Sequence, residues 1–523
     1  MEQTKKRNGF GSGIGFILAA AGSAIGLGNL WSFPYKTSEN GGAAFVILYV
    51  LCVIIIGVIT MTAELYIGKR AQANPITAYK KTNNNLGWIG MFAIVIPLFI
   101  ICYYSVLGGY TVKFSMDSFS GNAGELYNFV GNIGEVILYT AIFFILSIIV
   151  VTAGIKGGVE KACKVLMPAL FIILVALAIY SICLGEGVSE GLNFYLNPDF
   201  SVIGFEEVLA AMSQAFFSLS LGMGIMVSYG SYAGKNINVG KSITMICIFD
   251  TLVALLAGLI IFPAVYHYHA INPDAQIKLG GILLMFETLP YVFESMGAVG
   301  QIVSFFFFVM VTIAALTSVI SLLEVVTQFV IQKFKVLRKK AILIVSIITF
   351  AISIPIGISL GLDLNGDSSM VIFGMNWLDF FDTVTNTVLM PLGALGACIA
   401  IGWFLDKPKT FNDAINPMHL YNTLKEDGLD LGWFGKIFAV MVKYVTPILI
   451  LVVEVFGVKD LIFPATGFNP NGLGIVLSAY GLCAICVIVY FVFFKKTETG
   501  TNADEMALEA KVTEDGQAKE IEG

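Results

Sequence analysis

Three carboxylates stand out inside long apolar runs: Glu64, Asp250 and Glu324. An ionised side chain there is costly unless it faces a cavity, a partner or a bound ion. Lysine and arginine are lacking at comparable depth. Lys113 and Lys443 lie nearer the ends of their runs, where their stems can snorkel. The acids therefore need protonation, open backbone donors or a cation. Oxygen ligands accompany them: Asn29, Ser218, Thr317, Ser318 and the carbonyls of any interrupted helix. Oxygen donors without nitrogen or sulfur suit an alkali or alkaline-earth ion rather than zinc or copper. Asp250 is read as a cation ligand. Glu64 is read first as an acceptor for the orphan N–H groups of a neighbouring broken helix.

Other chemistry finds no support. His267 and His269 flank Tyr268, and helix positions i and i+2 face different ways, so they make no metal pair. Cys483 and Cys486 have the spacing of a metal or redox pair, but Leu482, Ala484 and Ile485 around them indicate packing. No Ser-His-Asp, metal-hydrolase or phosphate-loop arrangement is present, so the chain is not read as an enzyme, and no organic cofactor is expected. A dinucleotide reading of Gly9, Gly11, Gly13 and Gly15 fails, because no strand precedes them.

The elements that must position these groups are membrane helices. Of 523 residues, 57% are hydrophobic and only 13% charged, about half the charge of a soluble domain. Apolar runs of bilayer-crossing length recur throughout. We count twelve spans, near 14–37, 42–68, 87–114, 134–153, 160–184, 204–233, 241–266, 297–332, 340–361, 376–405, 433–456 and 472–494. Basic residues gather in alternate connections: Lys69, Arg70, Lys80 and Lys81 after span 2, and Lys333, Lys335, Arg338, Lys339 and Lys340 after span 8. The positive-inside rule puts both termini in the cytoplasm of a cell whose inner (plasma) membrane holds the chain. Spans 1 and 6 are interrupted at mid-depth by Gly22, Gly26 and Gly28, and by Ser218, Ser220, Gly222 and Gly224. Each opens a block of five spans, and five is odd, so the second block lies inverted. Paired interrupted spans point to a transporter's substrate site.

The organisation expected is a cytoplasmic segment over 1–13 and a first five-helix repeat over 14–184. A second repeat spans 204–405, with outer loop helices near 276–292. A cytoplasmic loop and spans 11 and 12 cover 406–494, and an acidic, disordered cytoplasmic tail covers 495–523. Residues 497–523 carry eight acids and two bases, so the tail alone accounts for the formal net charge of −6. Nucleic acid is therefore not a partner; the lipid bilayer is. The eight cysteines lie in or beside spans, which leaves no outer disulfide framework. The apolar run after Arg7 has no processing site, so no cleaved leader is expected.

Four motifs then carry a resemblance. Gly22-Ser-Ala-Ile-Gly-Leu-Gly-Asn-Leu-Trp-Ser-Phe-Pro34 with Glu39-Asn-Gly-Gly42, Gln214 to Gly224, Ala314-Ala-Leu-Thr-Ser318 and Asp379-Phe-Phe-Asp382 resemble the signatures of the neurotransmitter:sodium symporter family. The likeness is to bacterial members and covers about 7–495. It implies an all-α membrane protein of twelve helices with the leucine-transporter fold, a 5+5 inverted repeat and broken helices 1 and 6. It also implies two sodium ions. The first would bind the Ala24 carbonyl, Asn29, Ser218 and Asp250, with the substrate's own carboxylate. The second would bind the carbonyls of Gly22, Ile25 and Ala314 with the hydroxyls of Thr317 and Ser318. An amino-acid substrate would lie against Ser23, Ala24, Gly28, Ile100, Tyr104, Phe217, Ser218, Ser220, Met223, Ser318 and Leu322, with Tyr104 donating to its carboxylate.

Departures from the family pattern refine this. Members that carry monoamines place Asp at the position of Gly26, so here the substrate brings its own carboxylate. The apolar wall suits a large aliphatic or aromatic side chain. Asp250 replaces a commoner Asn and supplies the charge that chloride provides elsewhere, so chloride is not expected to be required. Ser32 replaces the Arg that pairs with the acid at Asp382, with Lys36 as the alternative partner. The inner acid that would meet Arg7 falls near Gln332. The expected function is sodium-coupled import of hydrophobic amino acids by alternating access. Other carboxylated amines, osmolytes or a non-transporting sensor are the alternatives. A homodimer is one open oligomeric state.

Overall fold

The computed structural model describes residues 9–495 apart from 121–124, 235–236, 275–277, 279, 406–409, 430 and 465. Arg7 and the acidic tail beyond Lys495 lie outside the described residues. Among the described residues, ten helices are long and apolar enough to cross a bilayer. They are Ala43–Ala71 (span 2), Gly87–Ser120 (span 3), Ile133–Thr152 (span 4), Ile155–Ile182 (span 5), Val239–Ile271 (span 7), Gly297–Phe334 (span 8), Arg338–Leu364 (span 9), Trp377–Phe404 (span 10), Phe434–Ile462 (span 11) and Pro470–Phe494 (span 12). Span 1 is the bent pair Gly13–Ala24 and Gly28–Glu39, angled by 49°. Span 6 is Phe205–Ser218 and Ile225–Tyr232 on either side of a six-residue break at 219–224. Each of the twelve expected spans coincides, within a turn or two, with a helix or, for spans 1 and 6, with a pair of helices among the described residues.

The two breaks follow from local chemistry. In span 1 the helix ends at Ala24, Ile25 is extended (φ −71°, ψ 100°), and Gly28–Ser32 resumes as a π-helical turn. In span 6, Ser220, Gly222 and Gly224 take φ of 55°, 79° and 72°. Gly222 also lies directly against the Met390 carbonyl, where a side chain has no room. Such a backbone abandons its i to i−4 bonds, and at bilayer depth other groups must replace them. Glu64 does so, accepting from Gly222 N at 2.7 Å.

Spans 3 and 8 pack along each other at the centre. The apolar window of span 3 is 83% buried, against 28% for spans 4 and 12, so the latter face lipid. The first half of span 6 packs on span 2, and the first half of span 1 packs on span 7. Exchanging the two repeats converts one contact into the other, as an inverted repeat requires. The chain thus has the leucine-transporter fold. The connection between spans 7 and 8 is helical over Gly281–Ser295. A two-residue antiparallel ladder, Val371–Ile372 with Met375–Asn376, joins spans 9 and 10.

Candidate functional site

The polar atoms released by the breaks face one another at mid-membrane. The Ser220 hydroxyl donates to the Ser23 carbonyl at 2.9 Å, tying span 6 to span 1. The Ser318 hydroxyl reaches the same carbonyl at 3.2 Å and that of Ile25 at 3.5 Å. Between the breaks lies a narrow cavity. Ten of the eleven expected substrate residues line it: Ser23, Ala24, Gly28, Ile100, Tyr104, Phe217, Ser220, Met223, Ser318 and Leu322, together with Gly26 and Ile225. The Ser23 hydroxyl is buried without a hydrogen-bond partner among the described residues. Tyr104 accepts from Leu27 N at 2.7 Å, which leaves its own proton to donate. A Cβ on Gly26 would stand 2.5 Å from both the Tyr104 hydroxyl and Ser318 Oγ. The missing side chain at Gly26 therefore keeps a polar slot open at one end of an otherwise apolar cavity.

Of the two places expected for Ser218, the structure gives the one beside Asp250 and not the one in the cavity. The Ser218 hydroxyl donates to Asp250 Oδ2 at 2.8 Å and lies 2.8 Å from the Tyr49 hydroxyl, and it does not line the cavity. The helical twist explains this: neighbours 217 and 218 are about 100° apart, so Phe217 faces the cavity while Ser218 faces span 7. Asp250 is fully buried. Oδ1 accepts from Asn29 Nδ2 at 2.9 Å, and Oδ2 also accepts from Tyr49 at 3.3 Å. Asn29 Oδ1 in turn accepts from Gly26 N at 3.3 Å. Asn29, Ser218, Asp250 and the bend of span 1 thus form one oxygen-rich cluster with a formal negative charge. A second cluster adjoins the other side of that bend. Thr317 Oγ1 lies 3.0 Å from the Ala314 carbonyl, Ser318 Oγ faces Ile25, and Gly22 packs on Thr317. Both sets are neutral or anionic oxygen donors, fitting a hard monovalent cation.

The remaining polar residues need correction or addition. Glu324 does have a basic partner: Arg338, across the turn after span 8, forms an ion pair with it, and Tyr232 donates to Glu324 at 2.7 Å. Lys443 does not snorkel. It is buried, its ammonium 5.1 Å from the Trp403 ring centroid. Glu454 is a further membrane acid that the run of apolar neighbours concealed; Tyr480 donates to it at 2.7 Å. Lys36 and Asp382 form no ion pair in the described structure. Asp382 instead accepts from Asn386 at 2.6 Å. Ser32 donates to Gln214 Oε1 at 2.8 Å, and Gln214 donates to the Gly28 carbonyl at 2.8 Å. Neutral hydrogen bonds therefore join spans 1 and 6 at the level where an arginine would stand. On the opposite face, Gln332 accepts from Asn74 at 2.9 Å.

Tyr49, Gln214, Ile225 and Arg338 escape sequence reasoning. Tyr49 left one signal: it is the one oxygen-bearing side chain between Ala43 and Val58. Ile225 directly follows the last glycine of the span 6 break.

Inverted repeats, two broken helices and oxygen clusters around a mid-membrane cavity define a secondary transporter. The profile of the Sodium:neurotransmitter symporter family matches residues 7–124 and 115–496, and the chain belongs to that family. It is a sodium-coupled symporter of the membrane. An uncharacterised sodium-dependent transporter of Haemophilus influenzae is 34% identical over 481 residues, covering 86% of this chain and 98% of that one. The uncharacterised sodium-dependent transporter YhdH of Bacillus subtilis is 36% identical over 395 residues, covering 73% of this chain and 85% of that one. Among solved structures, MhsT in complex with L-phenylalanine superposes with a TM-score of 0.76 at 35% identity, covering 86% of this chain and all of that one.

Proposed function

We propose that the protein imports large aliphatic or aromatic amino acids, driven by two sodium ions and without chloride. The slot at Gly26 carries this reading. Its Tyr104 and Ser318 hydroxyls and the open backbone of span 1 offer hydrogen-bond donors to a carboxylate. The rest of the cavity, with Ile100, Phe217, Met223, Ile225 and Leu322, offers an apolar wall. The bound phenylalanine of MhsT, a relative of the same fold, supports the substrate class. The Asn29, Ser218 and Asp250 cluster would take the first sodium beside the substrate carboxylate. The Gly22, Ile25, Ala314, Thr317 and Ser318 cluster would take the second. The Asp250 charge stands where an anion would otherwise be needed. Basic loops on the face that holds both termini support a cytoplasmic location for them.

The energetics suffice. Each sodium gains about 2.3 kcal/mol per 100 mV and about 1.4 kcal/mol per tenfold gradient. Two ions therefore drive accumulation by a factor on the order of 10⁵. The test is uptake into sealed proteoliposomes. Sodium-driven accumulation of phenylalanine and leucine, equal in chloride and gluconate, is expected. Phenethylamine, which keeps the ring and lacks the carboxylate, should neither accumulate nor compete. Binding without accumulation would identify a sensor, and competition by phenethylamine would remove the carboxylate slot.

A further inference from the structure

Span 12 ends, on the face of the basic loops, in a cluster of rings and ammonium groups. The Lys495 ammonium lies 4.8 Å from the Phe491 ring centroid. Lys333, at the end of span 8, lies 4.6 Å from that of Phe494, and Phe329 packs on Phe494 at 5.8 Å. The chain therefore leaves span 12 beside the turn that joins spans 8 and 9. That turn reads Lys333-Phe-Lys-Val-Leu-Arg-Lys-Lys340. Lys335 takes a left-handed φ of 52°, which stops the helix and turns the chain outward. Lys335, Lys339 and Lys340 are exposed, as are Phe334 and Leu337, the latter 81% accessible. Arg338 is engaged by Glu324. The turn itself carries no acid, so its lysines and Lys495 form a basic surface with two apolar side chains set into it.

Residues 497–523 match that surface. They carry a net charge of −6, with Met506, Leu508 and Val512 among the acids. Extended chain covers about 3.3 Å per residue, so the first few residues past Lys495 already reach the turn. Single exposed ion pairs are weak, but a segment tethered beside its site has an effective concentration of about millimolar, enough for weak pairs to hold it. Anionic lipid headgroups are drawn to the same lysines. They must compete with a segment that is always present and that an anionic leaflet repels.

We propose that residues 497–523 dock on the basic turn between spans 8 and 9. The test compares the full chain with a variant ending at Lys496, in nanodiscs of phosphatidylcholine alone or with phosphatidylglycerol. Mass spectrometry follows acylation of Lys335, Lys339 and Lys340 by a soluble activated ester, which transfers its acyl group to the amine and releases its alcohol. Rates are normalised to Lys278, far along the chain in the outer loop, to remove global unfolding. In phosphatidylcholine at low salt, the three lysines of the full chain should react about threefold or more slowly than in the shortened one. At 1 M salt, where screening acts within about 3 Å, the difference should vanish. Equal rates in both proteins would overturn the proposal. So would protection that survives truncation and appears only with phosphatidylglycerol, which would assign the turn to lipid.

Discussion

Replacing Asp250 with Asn tests the built-in charge most directly. The substitution should preserve the fold. An Asn there still accepts from Asn29, and its amide faces the Ser218 and Tyr49 hydroxyl oxygens, which accept as readily as they donate. What disappears is one negative charge in a fully buried cluster. A unit charge about 4 Å from a cation is worth about 4 kcal/mol at an effective dielectric of 20. The retained amide oxygen returns part of this, leaving a loss of about 2–4 kcal/mol. At about 1.4 kcal/mol per decade, sodium affinity at the first site should fall about 30- to 700-fold. The assay is the sodium concentration needed for half-maximal amino-acid binding in detergent, with chloride or gluconate as the anion. The native protein should titrate identically in both. The variant should need far more sodium in gluconate. Chloride should restore part of the loss, and more fully after Ala254→Ser, because Ala254 is buried one turn along span 7 and a hydroxyl there can hold the anion. A variant with native sodium affinity in gluconate would refute the reasoning, as would a native protein that fails without chloride.

The other expectations concern the second cluster and the cavity. Thr317→Ala with Ser318→Ala removes the two hydroxyls proposed to hold the second sodium, each worth about 1 kcal/mol, and should raise the sodium requirement about tenfold or more; an unchanged sodium titration in the folded double variant would dismiss the second site. Met223→Phe puts a rigid ring where a flexible thioether lines the cavity, a strain of about 1–3 kcal/mol. Binding competition should show phenylalanine weakened more than alanine, and equal weakening of both would place Met223 outside the side-chain pocket. Gly26→Ala sets a methyl carbon 2.5 Å from the Tyr104 and Ser318 oxygens. Substrate affinity measured by equilibrium binding should fall at least about tenfold for every amino acid alike, whereas loss confined to large substrates would mean that the slot holds side chain rather than carboxylate.

Much of this molecule is legible in its residues because the bilayer restricts the solutions. An apolar run of twenty residues has to be a helix, and glycines at mid-depth in spans 1 and 6 have to be a break, since lipid satisfies no backbone group. The count, the inversion and the location of the cavity follow from these local rules. The division of labour within the site does not. The resemblance put Ser218 both beside the substrate and beside Asp250, and the twist of one helix decides for Asp250 and Tyr49. Glu324 and Arg338 are separated by a helix end and a left-handed turn, so their pairing depends on how spans 8 and 9 fold back on each other. Lys443 sits near a span end, where snorkelling is the natural expectation, yet the Trp403 ring of another span covers it. Composition and periodicity determine which segments cross the membrane and where they fail as helices. Which polar atoms meet is decided by helix rotation and packing, because a side chain's partner on another span lies at no fixed distance along the chain.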